Sequence, residues 1–195
     1  KFINTGTIDP YISLWGFKKT SYIKNSYIKP VVIDTDLQEF SLNRYKQANS
    51  EKIIIGGMTQ KLECYYDTGN YLAGKSTTII QAGQKSLKFL LAILNSNLIS
   101  FWYCIFFKSL SLAGGFLRIS NNEIKRIPLV DADEESQSPF IDLVDKILSI
   151  TKDDDYLKNP NKQSQVKEYQ RQIDQLVYKL YGLTEEEIKI VEGFR

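Results

Sequence analysis

Two Glu-x-Lys triplets, Glu123-Ile124-Lys125 and Glu187-Ile188-Lys189, are the residues here whose types and spacing come nearest to a reaction. A carboxylate and a lysine beside a magnesium ion form half of a metal-dependent nuclease site. That half normally sits on a strand after Pro-Asp. The only related dipeptide here is Asp9-Pro10, in reverse order. Each glutamate instead follows a hydroxyl residue, Ser120 or Thr184, by three positions, which is capping-box spacing. The glutamates are therefore expected to cap helices and the lysines to be solvated. Asp153, Asp154 and Asp155 are consecutive, so they cannot all converge on one ion, and no calcium-loop spacing follows. The chain has no histidine, which removes the commonest general base and metal ligand. Gly6, Gly56-Gly57 and Gly114-Gly115 make no phosphate loop and read as turns, bulges or close backbone approaches. Cys64 and Cys104 form neither a CxxC nor a paired framework and read as free thiols in a reducing cytoplasm. No catalytic or metal-ligating residue is expected.

The elements that must position any site read as α+β. Lys52 to Gly57 is a β-branched run ended by glycines, hence a strand. Leu62 to Tyr66 and Ser76 to Ile80 are further strands, with a turn at Asp67 to Asn70, and Pro30 to Ile33 also looks like a strand. Asp36 to Tyr45 is ambiguous between helix and loop. From Ser86 onwards, Leu87, Leu90, Leu91, Leu94, Leu98, Phe101, Trp102 and Ile105 recur at helical spacing, predicting one long helix with a broad buried stripe. Asn95, Ser96, Asn97 and Ser100 interrupt it, so it reads as a core helix and not a membrane span. A short strand, Phe116 to Ile119, and a helix capped by Ser120 follow. Asp131 to Gln137 reads as an acidic loop, with Ser138 capping a helix whose first residue is Pro139. Lys152 to Lys162 reads as a solvated linker. Val166, Tyr169, Ile173, Leu176 and Leu180 then form an apolar seam, Gly182 ends the helix, and Thr184 starts the last one. The expected fold is a mixed or antiparallel sheet with a long buried helix and a C-terminal helical hairpin. Its parts are residues 1–130 and a helical region, 131–195, packing on them or on a parent enzyme. The start, without Met or a charged-then-apolar leader, reads as mid-protein.

Charge divides the chain at the same place. The net +2 combines 16 Lys+Arg against 8 Asp+Glu in residues 1–130, a net of +8, with 9 against 15 in residues 131–195, a net of −6. A basic part joined to an acidic part points to a polyanion partner for the first. Lys18, Lys19, Lys24, Lys29, Arg44, Lys46, Lys61, Lys75 and Arg118 are the candidate phosphate contacts, Arg118 being equally open to a structural role. Gln47, Asn49, Gln60 and Asn70 are polar residues able to read a base edge. Tyr65 and Tyr66 must point to opposite faces of their strand.

The order SLKFLLAILNSNLISFWYCIFFKSLSLAGGFLRISNNEIKRIPL, from Ser86 to Leu129, resembles the TaqI-like C-terminal specificity domain of adenine-specific DNA methyltransferases and restriction-modification enzymes. The segments INTGTIDPYISLWG (Ile3 to Gly16) and RQIDQLVYKLYGLTEEEIKIVE (Arg171 to Glu192) are similar to the entry and tail of such domains. The resemblance implies sequence-specific recognition of double-stranded DNA on behalf of a linked adenine methyltransferase, with or without a linked endonuclease. It implies no enzyme activity or cofactor in this part, and S-adenosylmethionine, with Mg2+ where an endonuclease is linked, in the parent. Asn159-Pro160-Asn161 departs at its third position from that family's catalytic Asn-Pro-Pro-aromatic string and reads as a turn. Three alternatives stand beside it: half of a type I specificity subunit, a protein-interaction scaffold, and a stand-alone nuclease.

Overall fold

The computed structural model of the chain describes residues 1–81, 83 and 85–194. Short pieces come first: β1 (Phe2–Ile3), β2 (Ile8–Asp9), β3 (Ile12–Ser13), β4 (Thr20–Tyr22) and β5 (Asn25–Tyr27). Two small helices, α1 (Asp34–Phe40) and α2 (Leu42–Ala48), resolve the ambiguous stretch. The strands β6 (Lys52–Gly56), β7 (Met58–Thr59), β8 (Cys64–Asp67), β9 (Leu72–Ala73) and β10 (Thr77–Gln81) follow. Helices α3 (Leu87–Leu94) and α4 (Asn97–Phe106) lead to β11 (Leu117–Arg118) and α5 (Asn121–Ile124). Three longer elements close the chain: α6 (Glu134–Thr151), α7 (Pro160–Tyr181) and α8 (Glu185–Gly193).

The architecture is α+β. Its centre is an antiparallel sheet in the order β10-β6-β8, with Ile54 opposite both Ile79 and Tyr65. Around it lie a parallel pair, β1 with β9, and the antiparallel pairs β7 with β11, β2 with β3 and β4 with β5. The run Ile53-Ile54-Ile55 is wholly buried because both faces of the sheet are covered. Ile53, Ile55, Cys64 and Tyr66 face the helices, whereas Ile54 packs with Ile3, Ile8 and Tyr71 of the N-terminal layer. Tyr65, on the opposite side of β8 from Tyr66, meets Tyr71 edge to face at 5.7 Å. Gly57 is a close approach: a Cβ there would sit 2.4 Å from the Ser76 carbonyl oxygen.

Four sequence expectations need correction. The predicted long helix is two helices meeting at a 62° bend. Asn95 causes it by turning inward, where its amide accepts from Cys64 N–H and donates to Cys64 C=O, both at 3.0 Å. Ser96 then caps α4 through Ile99 N–H. No single helix among the described residues is long and apolar enough to cross a membrane. The helix assigned to Ser138-Pro139 starts earlier, because Asp133 caps it by accepting from Ser136 N–H at 2.9 Å, and Glu134 and Glu135 suit the positive helix end. Pro139 therefore lies inside α6. Pro30 to Ile33 forms no strand, although Pro30 C=O accepts from Phe2 N–H of β1. The strand read at Leu62 to Tyr66 is shifted to β8, since Leu62 faces the core from the preceding turn.

The C-terminal helices share the core of the basic part. α6 packs on α3 and α7 on α6, placing Phe140, Val144, Ile147, Ile173 and Val177 in one cluster with Leu91, Phe89 and Ile53. A polar seam crosses the same boundary. The Tyr11 hydroxyl donates to Gln170 at 2.6 Å, Gln170 donates to Asp174, and Asp174 accepts from Asn97 N–H at 2.8 Å. Thr151 donates to the Tyr11 carbonyl.

Candidate nucleic-acid interface

One basic surface is built by the β4–β5 hairpin and its roots. Residues 10–33 contain Lys18, Lys19, Lys24 and Lys29 and no carboxylate. All four lysines are exposed, and none forms an ion pair among the described residues. The hairpin is tied down at both legs. Thr20 is buried beside Thr7, and Tyr22 packs edge to face on Phe2 at 5.1 Å. Gly16 N–H donates to Ile28 C=O, and the Trp15 indole donates to Pro30 C=O.

Lys29 and Asn70 are brought together in a cleft of about 760 Å³. Its walls include Lys1, Trp15, Tyr65 and Tyr71, with Lys152, Asp153 and Asp154 on the far side. The Lys1 ammonium lies 5.1 Å from the Trp15 ring centre and 5.4 Å from that of Tyr71. The amide side chain of Asn70 is held by Thr68, and its N–H by Asp67. Lys1, Trp15 and Tyr71 were not singled out by spacing; Lys1 and Trp15 share one basic, aromatic stretch, but Tyr71 is distant in sequence and gave no signal.

Lys18 and Lys61 lie instead in a mixed patch with Asp9 and Glu63. Burial pushes the Glu63 carboxyl up to about 7, with Asp9 adding repulsion and the two lysines opposing it. Burial likewise raises Asp9. On α2, the Arg44 guanidinium donates to Ala73 C=O and to Gln47, so it braces β9. Lys46 is exposed on the same helix. Asn49 ends that helix with its amide on Tyr45 C=O. Lys75 is exposed in the turn before β10.

A further group gathers where β7 meets β11. Arg118 stands opposite Met58 with its side chain exposed, while its carbonyl accepts from Tyr103. Gln60 donates to Gly114 C=O at 3.1 Å. Beside them, the Arg126 guanidinium lies 4.7 Å from the Phe106 ring centre, and Phe106 is 48% exposed. The predicted sites thus fall in several regions and not in a single stripe. Lys85 and Lys88, also from the basic part, pair with Asp131 and Asp145 and join the two parts.

The groups weighed for catalysis are engaged otherwise. Glu123 accepts from Ser120 N–H at 3.1 Å and Glu187 from Thr184 N–H at 2.8 Å, each closing a capping box. Lys162 bridges Asp153 and Asp155, and Asn159 caps α7 with Pro160 at its start. No group of three or more potential metal ligands converges among the described residues. Cys64 and Cys104 are free, and burial raises both thiols, which disfavours the thiolate form.

The model of the TaqI-like C-terminal specificity domain matches residues 10–129. No curated protein matches. Among solved structures, the chain is similar to a type IIL restriction-modification enzyme, MmeI, whose structure was determined in complex with DNA. The TM-score is 0.52 at 15% identity, covering 77% of this chain and 23% of the enzyme's. This likeness is one of fold, and the chain spans about a quarter of that enzyme's length.

Proposed function

Because the chain belongs to the family of TaqI-like C-terminal specificity domains, which serve DNA target recognition in restriction-modification enzymes, we propose that it is the non-catalytic module holding one duplex sequence for a linked adenine methyltransferase. In this reading an endonuclease can share the same polypeptide, S-adenosylmethionine and Mg2+ belong to those linked domains, and the assembly works in the cytoplasm. One observation carries the proposal: the family match opens on residues 10–33, the stretch with four exposed lysines and no carboxylate. Lysines there fix register on phosphates, while Asn70, Gln60, Gln47 and Asn49 offer amides to base edges. The domain's part in methylation is positioning, so that the catalytic domain can extrude one adenine.

The test is salt-dependent binding of short duplexes. Lys18→Glu with Lys19→Glu is expected to weaken binding to every sequence and to flatten the slope of log affinity against log salt by about 1 per lost phosphate contact. Wild-type affinity and slope in that double variant would remove the hairpin from the interface. Absence of duplex binding by the wild type at low salt would leave the scaffold reading. Magnesium-dependent cutting, lost in Glu123→Ala, would leave the nuclease reading.

A further inference from the structure

The tip of the β4–β5 hairpin carries a feature that phosphate binding does not explain. Its two-residue loop, Ile23-Lys24, places both residues in the left-handed region, with φ of 46° and 62°. Tight hairpin loops of this kind select Asn-Gly or Asp-Gly, because a side chain branched at Cβ crowds the backbone there. Ile23 is such a residue, and it is also 74% exposed, so no packing offsets the strain. Strain held in place by a rigid surround is characteristic of functional positions. The surround is rigid: Phe2, Thr7, Gly16 and Pro30 clamp the legs as described above. The tip is thus a stiff apolar point rising from a lysine-bearing base.

We infer that this hairpin is a wedge, which inserts Ile23 between adjacent base pairs of the bound duplex while the lysines at its base hold the flanking phosphates. The inference rests on the DNA-binding reading above. Charge selects the occupant: residues 10–33 carry four lysines and no carboxylate, and although Lys18 neighbours Asp9 and Glu63, Lys19, Lys24 and Lys29 are exposed without an ion pair among the described residues and favour a polyanion. Within duplex DNA, the extended apolar surfaces are the faces of the stacked bases. Aliphatic side chains that part a base step reach those faces, and the unstacking is compensated by a bent duplex that touches more protein. A wedge beside the recognition surface also loosens the stack next to a nucleotide that must leave it.

The wedge predicts a preference for DNA in which the stack is already broken. The full chain is titrated against a short duplex pool of randomised sequence and against the same pool carrying one central abasic site. The wild type is expected to bind the abasic pool about tenfold more tightly, since the unstacking work is already done. Ile23→Gly accepts the left-handed backbone and has nothing to insert. Its preference is expected to fall to about one, with a Tm at or above that of the wild type showing an intact fold. Ile23→Asn, also at ease in that region, is the second variant and is expected to lose the preference as well. Equal binding of both pools by the wild type, or a preference retained in both variants, overturns the wedge and leaves DNA binding standing. Failure of the wild type to bind either pool overturns the DNA reading and the wedge with it.

Discussion

Asp67 shows how much one side chain holds here. Its carboxylate pairs with the Lys52 ammonium and accepts backbone N–H groups from Gly69, Asn70 and Tyr71. Lys52 in turn donates to the carbonyls of Ala48 and Ser50. Both side chains are fully buried, so each charge depends on the other for solvation. Asp67→Ala leaves a buried ammonium unpaired and frees the turn that carries Asn70. A loss of about 3–5 kcal/mol in urea unfolding is expected. The turn at Asp67 to Asn70 was legible from composition, but its partner was not. Lys52 opens an apolar strand and counts, by sequence, as one more surface cation of the basic part.

At the scale of elements, the bend between α3 and α4 is the clearest case of tertiary structure overriding periodicity. The leucine spacing runs on through Asn95 and Ser96, so the stripe alone predicts one helix. What stops it is the unpaired edge of β8, whose Cys64 N–H and C=O require partners inside the core. Asn95 supplies the only acceptor for that N–H among the described residues and shares the carbonyl with Tyr11 N–H. Asn95→Leu continues the apolar pattern but leaves the buried Cys64 N–H unsatisfied, while the Cys64 carbonyl keeps the Tyr11 N–H, and a destabilisation of about 1–3 kcal/mol is expected in thermal or urea unfolding. The capping boxes at Ser120 and Thr184 were legible because the interaction is local, between residues three apart. The start of α6 was misread because Pro139 is a strong signal, yet the stronger one was Asp133 with two glutamates behind it.

For the whole molecule, the charge division was legible and its geometry was not. The α+β class, the sheet strands and the basic N-terminal part follow from composition and pattern. The distribution of the candidate residues over a hairpin, a cleft and the β7–β11 edge depends on long-range packing, and no spacing in the sequence encodes it. A measurable consequence belongs to the molecule as a unit. Burial lifts Glu63 to about 7 and Asp174 to about 6, against values of about 4 in an unfolded chain. Between those limits the folded state holds protons that the unfolded state has released, so stability falls as pH rises through this window. No histidine titrates there to mask it. Tm is expected to be higher at pH 5.5 than at pH 8, and Glu63→Gln with Asp174→Asn is expected to flatten that dependence. A Tm that rises with pH over this range would contradict the burial of both groups.

The seam from Tyr11 through Gln170 and Asp174 to Asn97 bears on how this domain could be moved into another protein. A graft limited to residues 10–129 would strip α3 of its cover and remove Gln170, the acceptor of the Tyr11 hydroxyl. Transplanted specificity therefore has to travel with α6 and α7, as one cassette whose seemingly passive tail is the reason its reading end keeps its shape.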